Sequence, residues 1–591
     1  MKRLKKNKTS DLIAIFLKEK KIKHVFGIIG SANAHIFDSI SRLKYTQIVC
    51  VHHEQAATMA MQNYFRVTGK ISAALVTAGG ASANAITGVI SSWADSMPGI
   101  IISGQENLRF VNSYKKMRMW GVQGFDTTHM VSKVTKYSNR ITNANNILYE
   151  LEKAYQTSLA GRPGPVWLDI PIDIQGKLID NKIKLKKYKT KNVLINKISL
   201  KDKSKLTNLI ANAKRPVFWL GNGVKLSGGK KNILTLLKKF KFPTFLSWAA
   251  VDLINSKHPL NFGRPGVYGN RASNLILQNS DLIVSIGTRL SIPMIGYVHQ
   301  EFARKAKIVQ VDIDKSELLK LKKKTYLGIK LDAFNFIKIL NTKIKNNINQ
   351  KHLISWVKFS KNILKRFPHL EKKAHKDKKG YINSYRFLDA LSKYFRNDEC
   401  IVTDMGTALL SGHQILKINK NQKMMTSTGL GEMGFGLPGA IGASFGRNKG
   451  EVICLNCDGG MMMNLQELQT IDHYKLPIKI FILNNEYMGM VRQWQELLHD
   501  KNYSESYTEA LPDFVKLAEA YGAVGIRAKT PDELDEKIKE MINSDQPVIF
   551  DCLVDKQENC YPMIPSGKPH NQMLLGPEDE KDVSDEGKTL V

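Results

Sequence analysis

Cysteine is scarce in this chain, six in 591 residues. A count that low excludes a disulfide framework and predicts a reducing, cytoplasmic setting. Long apolar runs are missing too. No stretch reaches the roughly 20 residues that cross a bilayer, so no membrane partner is expected. The basic start "MKRLKKNKTSDLIAIFLKEKKIKHVFG" holds only a short apolar stretch, "LIAIFL". Charges follow it at once and no small-residue cleavage site appears, so it does not read as a signal peptide. Acid is outnumbered, 53 Asp and Glu against 88 Lys and Arg, for a net charge of +35. Such an excess can serve nucleic-acid binding. Here the lysines are spread along the chain ("KIKLKKYKTKN", "LEKKAHKDKKG"), with no zinc-finger spacing or glycine-aromatic RNA-binding motif beside them. They read as solvated faces, and no nucleic-acid partner is expected. The acidic stretch "GPEDEKDVSDEG" reads as a surface tail.

What is present is a three-fold alternation of helical patterns with short, fully apolar runs. Runs such as "AALVTAGG", "LIVSIGTRL" and "IKIFILNN" suit parallel strands covered on both faces. The pattern predicts an α/β chain of three doubly wound parallel-sheet domains. The expected domains are 1–176, 195–345 and 380–565, with a tail at 566–591. A polar, lysine-rich linker falls near 177–200, and a helical, highly charged one near 340–380.

The third domain carries the sharpest chemistry. "EVICLNCDGG" and "IKIFILNNEY" end two apolar runs with Asp458 and, 27 residues later, Asn485. Ligands of doubly wound sheets bind at such strand ends. Gly459 and Gly460 allow close backbone approach to a phosphate, and the helix that follows favours an anion at its start. One carboxylate, one amide oxygen and a backbone carbonyl near Tyr487 suit Mg²⁺ beside a diphosphate. Asp-Gly-Gly alone fits an ordinary β-turn-α; the paired spacing is what adds weight. "CLNC", Cys454 to Cys457, has the spacing of a redox or zinc half-site. With no second pair and apolar neighbours it reads as buried thiols.

The spacing resembles the thiamine-diphosphate motif, Gly-Asp-Gly followed by Asn-Asn, with Cys457 in place of the first glycine. Such a cofactor needs a carboxyl group to protonate its aminopyrimidine ring. Glu54 in "IVCVHHEQAATMAM" resembles the family's His-Glu-Gln segment, although a Glu at a helix start is also ordinary dipole compensation. "GLGEMGFGLPG" resembles the segment whose glycine carbonyl (Gly431) and methionine (Met433) hold the cofactor bent. Within the superfamily the chain is most similar to the acetolactate synthase (acetohydroxyacid synthase) large-subunit family, over residues 10–570. "NNEYMGMVRQWQELLHDKNYSESYTEALPDFVKLAEAYGA" and "VIFDCLVDKQENCYPMIPSGKPHNQML" carry that resemblance.

The resemblance implies a carboligase that decarboxylates pyruvate and transfers the hydroxyethyl (acetaldehyde) unit to pyruvate or 2-ketobutyrate. The products are 2-acetolactate or 2-aceto-2-hydroxybutyrate, for branched-chain amino acids. It implies a pyrimidine domain first, a central Rossmann-like FAD domain and a diphosphate domain last. It implies a homodimer or tetramer with the site between subunits, and a small regulatory subunit as a partner. Met490, Val491 and Trp494 would line the acceptor pocket. Arg162, Gly266, Arg289, Asp312 and Asp314 would hold a structural FAD, and Gly406 would lie by the diphosphate. The departures are several. Pro293 stands where the family has an acceptor-binding arginine, which weakens carboxylate recognition. Phe-Gln-Glu survives only as Gln123, Gly-Gln-His reads "GTA" from Gly406, and Ser-Gly-Pro-Gly reads "AGGA". They leave open a related carboligase or decarboxylase with a keto-sugar or aldehyde acceptor.

Overall fold

The computed structural model describes residues 6–111, 117–180, 188, 197–371, 374–375, 378, 380–508 and 510–576. The acidic tail from 577 onward lies outside them. Three parallel sheets follow one another along the chain.

The first is built from β1 (His24–Gly27), β2 (Gln47–Cys50), β3 (Ala73–Val76), β4 (Gly99–Gln105), β5 (Tyr137–Arg140) and β6 (Pro165–Pro171), in the order β2-β1-β3-β4-β6-β5. The second holds β7 (Pro216–Leu220), β8 (Thr244–Leu246), β9 (Leu282–Ile286), β10 (Lys307–Asp312) and β11 (Thr325–Lys330), in the order β8-β7-β9-β10-β11. The third holds β12 (Cys400–Thr403), β13 (Lys423–Met425), β14 (Val452–Cys457), β15 (Ile478–Asn484), β16 (Val524–Ala528) and β17 (Val548–Leu553), in the order β13-β12-β14-β15-β17-β16. The first and third sheets thus share one strand order, and both reverse direction of winding after their first strand. That reversal opens a crevice at the carboxyl ends of β12 and β14.

The apolar runs become these strands because helices cover both faces. Every residue of "GIIISGQ" and "IKIFILN" is buried. The helices that matter for the site are α1 (Glu54–Thr68), α2 (Ile86–Ala94), α3 (Thr407–Ile415), α4 (Gly436–Gly446), α5 (Asp458–Met463), α6 (Glu467–Tyr474) and α7 (Gly489–Leu498). The first and third units pack through α1 and α4. Gly442 permits it: a Cβ there would lie 2.1 Å from the Ala60 carbonyl oxygen. Small residues let the two backbones meet, and one core runs from Phe26 and Tyr64 through Phe435 to Ile549. Residues 561–575 return to the central unit, where Ile564 N donates to the Val267 carbonyl. No helix among the described residues is long and apolar enough to cross a membrane.

Candidate active site

Asp458 opens α5 at the end of β14, and Asn485 follows β15, its hydrogen-bonded neighbour. Asp458 Oδ1 accepts from Gly459 N at 2.7 Å; Oδ2 accepts from Asn485 N at 3.0 Å and Glu486 N at 2.7 Å. The acid therefore organises the turn that carries the amide. Burial pushes the Asp458 carboxyl up to about 6, against the pull of those three N–H groups. Asn485 Oδ1 accepts from Tyr487 N. The Tyr487 carbonyl accepts from Gly489 N at the start of α7. The pair offers one carboxylate and one amide oxygen, groups that could hold a hard cation. No cluster of three His, Cys, Asp or Glu side chains competes for a metal among the described residues.

Three glycine turns close on this point. A Cβ on Gly459 would sit 2.8 Å from Met488 Cε and 3.3 Å from Met433 Cε. That contact brings the "GEMG" loop to the Asp458 turn. Gly431 and Gly434 flank Met433 with φ of 73° and 81°, a conformation that favours glycine. Gly406, at φ 96°, caps α3 beside Cys457, whose Sγ accepts from Ala408 N. Cys454 is buried, as its apolar neighbours predict, while Cys457 is only half-buried; burial raises both thiols.

One residue here was not singled out from the sequence. Asp404, wholly buried at the end of β12, accepts from Met405 N, Gly434 N and Phe435 N. It ties the Gly406 turn to the "GEMG" loop, and burial lifts its carboxyl to about 7. Its one signal was an acid ending an apolar run, in "CIVTDMG".

Glu54 opens α1 and is 8% exposed. Within one chain its carboxylate accepts from Asn84 Nδ2 at 3.1 Å, on the same unit, and not from the Asp458 turn. Gln123, left-handed at φ 64°, packs over Gly79 of the "AGGA" loop, also on the first unit.

On α7, Met490 touches Cys560 and the half-exposed Val491 and Trp494 face outward. Trp494 lies beside Tyr268, a buried phenol of the central unit. Pro293 lies in the first turn of a short helix there, Ile292–Ile295, and its carbonyl accepts from Val267 N.

The central unit has a cleft of about 310 Å³ lined by Arg162, Gly223, Gly287, Arg289 and Asp312. Bare backbone meets at its floor, where a Cβ on Gly223 would lie 2.8 Å from Gly287 Cα. Burial raises the Asp312 carboxyl to about 6. Arg162 reaches in from the first unit and pairs with Asp314 and Glu317, each at 2.9 Å. Gly266 lies outside the cleft, against the Pro293 carbonyl.

The comparisons agree with this arrangement. Residues 7–130, 204–340 and 404–552 match the N-terminal TPP binding, central and C-terminal TPP binding domains of thiamine pyrophosphate enzymes. The acetolactate synthase large subunit of Cyanidium caldarium is 32% identical over 575 residues, spanning 94% of this chain and 95% of its own. That of Haemophilus influenzae is 30% identical over 591 residues, 98% of this chain and all of its own. The isozyme 2 large subunit of Escherichia coli K12 is 30% identical over 560 residues, 94% of this chain and 97% of its own. With its three sheets and this full-length likeness, the chain belongs to the thiamine pyrophosphate enzymes and, within them, to the acetolactate synthase large-subunit family.

Proposed function

We propose that this chain decarboxylates pyruvate and joins the two-carbon unit to a second 2-ketoacid, pyruvate or 2-ketobutyrate. The observation that carries this is the Asp458–Asn485 pair on adjacent strand ends, with Met433 packed against Gly459. Asp458 and Asn485 would hold Mg²⁺ and, through it, a diphosphate; Gly459, Gly460 and Gly406 leave room for it. When bound, thiamine diphosphate supplies a nucleophilic carbon that adds to the keto group and takes up the electron pair as CO₂ leaves. Gly431 and Met433 shape the cofactor's seat. Glu54, buried at the start of α1, would hydrogen-bond the aminopyrimidine ring. Trp494, Met490 and Val491 form the acceptor wall.

Glu54 bonds within its own unit, and Met117, Met119, Trp120 and Val122 stand exposed nearby in sequence to Gln123. This supports a homodimer in which Glu54 of one copy meets the Asp458 turn of the other. A small regulatory subunit is a further partner. The central cleft, with its bare backbone floor, Asp312 and two arginines, fits the ribose and diphosphate of a structural FAD. Six free cysteines fit a cytoplasmic setting.

A second reading is favoured by Pro293, which offers no cation, and by the Tyr268–Trp494 pair beside it. Under it the donor half is the same and the acceptor is a keto-sugar or an aldehyde. Incubation with pyruvate, thiamine diphosphate, Mg²⁺ and FAD, with CO₂ and acetolactate assayed together, separates the readings. Equal yields support the 2-ketoacid acceptor. CO₂ without acetolactate supports the second reading, and neither product overturns both.

A further inference from the structure

The segment that presents Glu54 is held from the far end of the chain. Glu467 opens α6 of the third unit and is completely buried. Its Oε1 accepts from two consecutive backbone groups of the first unit, His52 N at 2.9 Å and His53 N at 3.0 Å. Its Oε2 is fixed by the Thr470 hydroxyl at 2.7 Å. At the other end of α6, the Tyr474 hydroxyl accepts from Cys50 N at 2.8 Å. The first and last residues of one helix thus grip the strand end and turn from Cys50 to His53. His53 in turn accepts from Gln55 N and caps α1.

A helix-start glutamate that served only its own helix would bond its own first turn. Glu467 gives one oxygen to Thr470 of its own helix and the other to a segment more than 400 residues away. On its own side it is tied to the cofactor loops: Glu467 N donates to the Asn464 carbonyl, and Asn464 Nδ2 donates to the Gly434 carbonyl at 2.7 Å. A turn with two N–H groups in one buried acceptor has little freedom, because both bonds must break together for it to move.

We propose that Glu467 is a positioning residue for Glu54, fixing through the His52–His53 turn the direction from which the Glu54 carboxyl reaches the cofactor. This rests on the reading of Glu54 as the group that activates thiamine diphosphate.

The test uses the full chain with thiamine diphosphate and Mg²⁺. The rate of hydrogen–deuterium exchange at the cofactor's reactive carbon is measured, with cofactor affinity from fluorescence quenching and the melting temperature alongside. Glu467→Ala is expected to slow exchange about a hundredfold, the cost of an ångström-scale misplacement, while affinity changes by less. Glu467→Gln should restore the rate to within about tenfold, because its oxygen accepts both N–H groups and its amide can donate to Thr470. Tyr474→Phe removes one grip at constant volume and should slow exchange about fivefold; it decides the matter if the alanine variant does not fold. Exchange at the parent rate in Glu467→Ala or in Tyr474→Phe, or a glutamine variant as slow as alanine, would overturn the proposal. Glu54→Gln separates the two levels. If it exchanges at the parent rate, the reading of Glu54 fails and the proposal with it. If it is slow while the Glu467 variants are not, only the proposal fails.

Discussion

Asp404 and Gly460 meet so closely that a Cβ on Gly460 would lie 2.5 Å from Asp404 Oδ2. Asp404 cannot retreat, because it holds Met405, Gly434 and Phe435 by their backbone N–H groups. Gly460→Ala should therefore displace the loops around the cofactor seat. The expected cost is about 1–3 kcal/mol of stability, with thiamine diphosphate affinity lowered. Denaturant melts and a cofactor titration check it; parent-like values in both would refute it.

Metal removal follows from the donor set. Exhaustive dialysis against a chelator should abolish pyruvate turnover, and Mg²⁺ should restore it. Asp458→Ala should not recover at any practical Mg²⁺ concentration, since the only carboxylate of the pair is gone. Asn485→Ala should recover in part, at raised Mg²⁺, because water can replace a neutral oxygen. Equal recovery in both variants would argue against this ligand pair.

Glu558 sets a pH dependence remote from the site. Its half-buried carboxyl accepts from Ser384 N, and burial raises it to about 7. In the unfolded chain it ionises near 4.5. The folded protein thus holds a proton that the unfolded chain has lost, and this contribution to stability fades as pH rises from about 4.5 through 7. Glu558→Gln keeps the shape without the titration. Its melting temperature should gain on the parent between pH 5 and pH 8, by an amount worth on the order of 1–3 kcal/mol. A constant difference across that range would show that Glu558 is not the group responsible.

The Tyr268 hydroxyl lies beside Trp494. Tyr268→Phe keeps the ring and removes that polar neighbour. The partition of the two-carbon unit between acceptor and water should change by about threefold to tenfold, the worth of one polar contact, with CO₂ release little altered. Matched assays of CO₂ and acetolactate decide it. A fall in both together would place Tyr268 in the donor step instead.

Asp458, Asn485, Gly431 and Met433 were legible in the chain because each lies on a short motif at the end of an apolar run, and parallel strands bring such ends to one edge. The class of fold was legible for the same reason: fully apolar runs between helical patterns leave few alternatives. Asp404, Glu467 and Tyr268 were not. Each acts on groups far away in sequence, the first two through backbone N–H groups that every residue but proline carries. Gln123 and Glu54 show the converse. Their motifs stand out, yet in one chain neither bonds to the Asp458 turn. The sequence by itself determined the kind of sheet, the polar residues at the strand ends and the cofactor class, because periodicity and local turn chemistry are short-range properties. Only the tertiary structure decided which buried acids grip which turns, because a hydrogen bond between residues 52 and 467 exists only once the cores between them have packed.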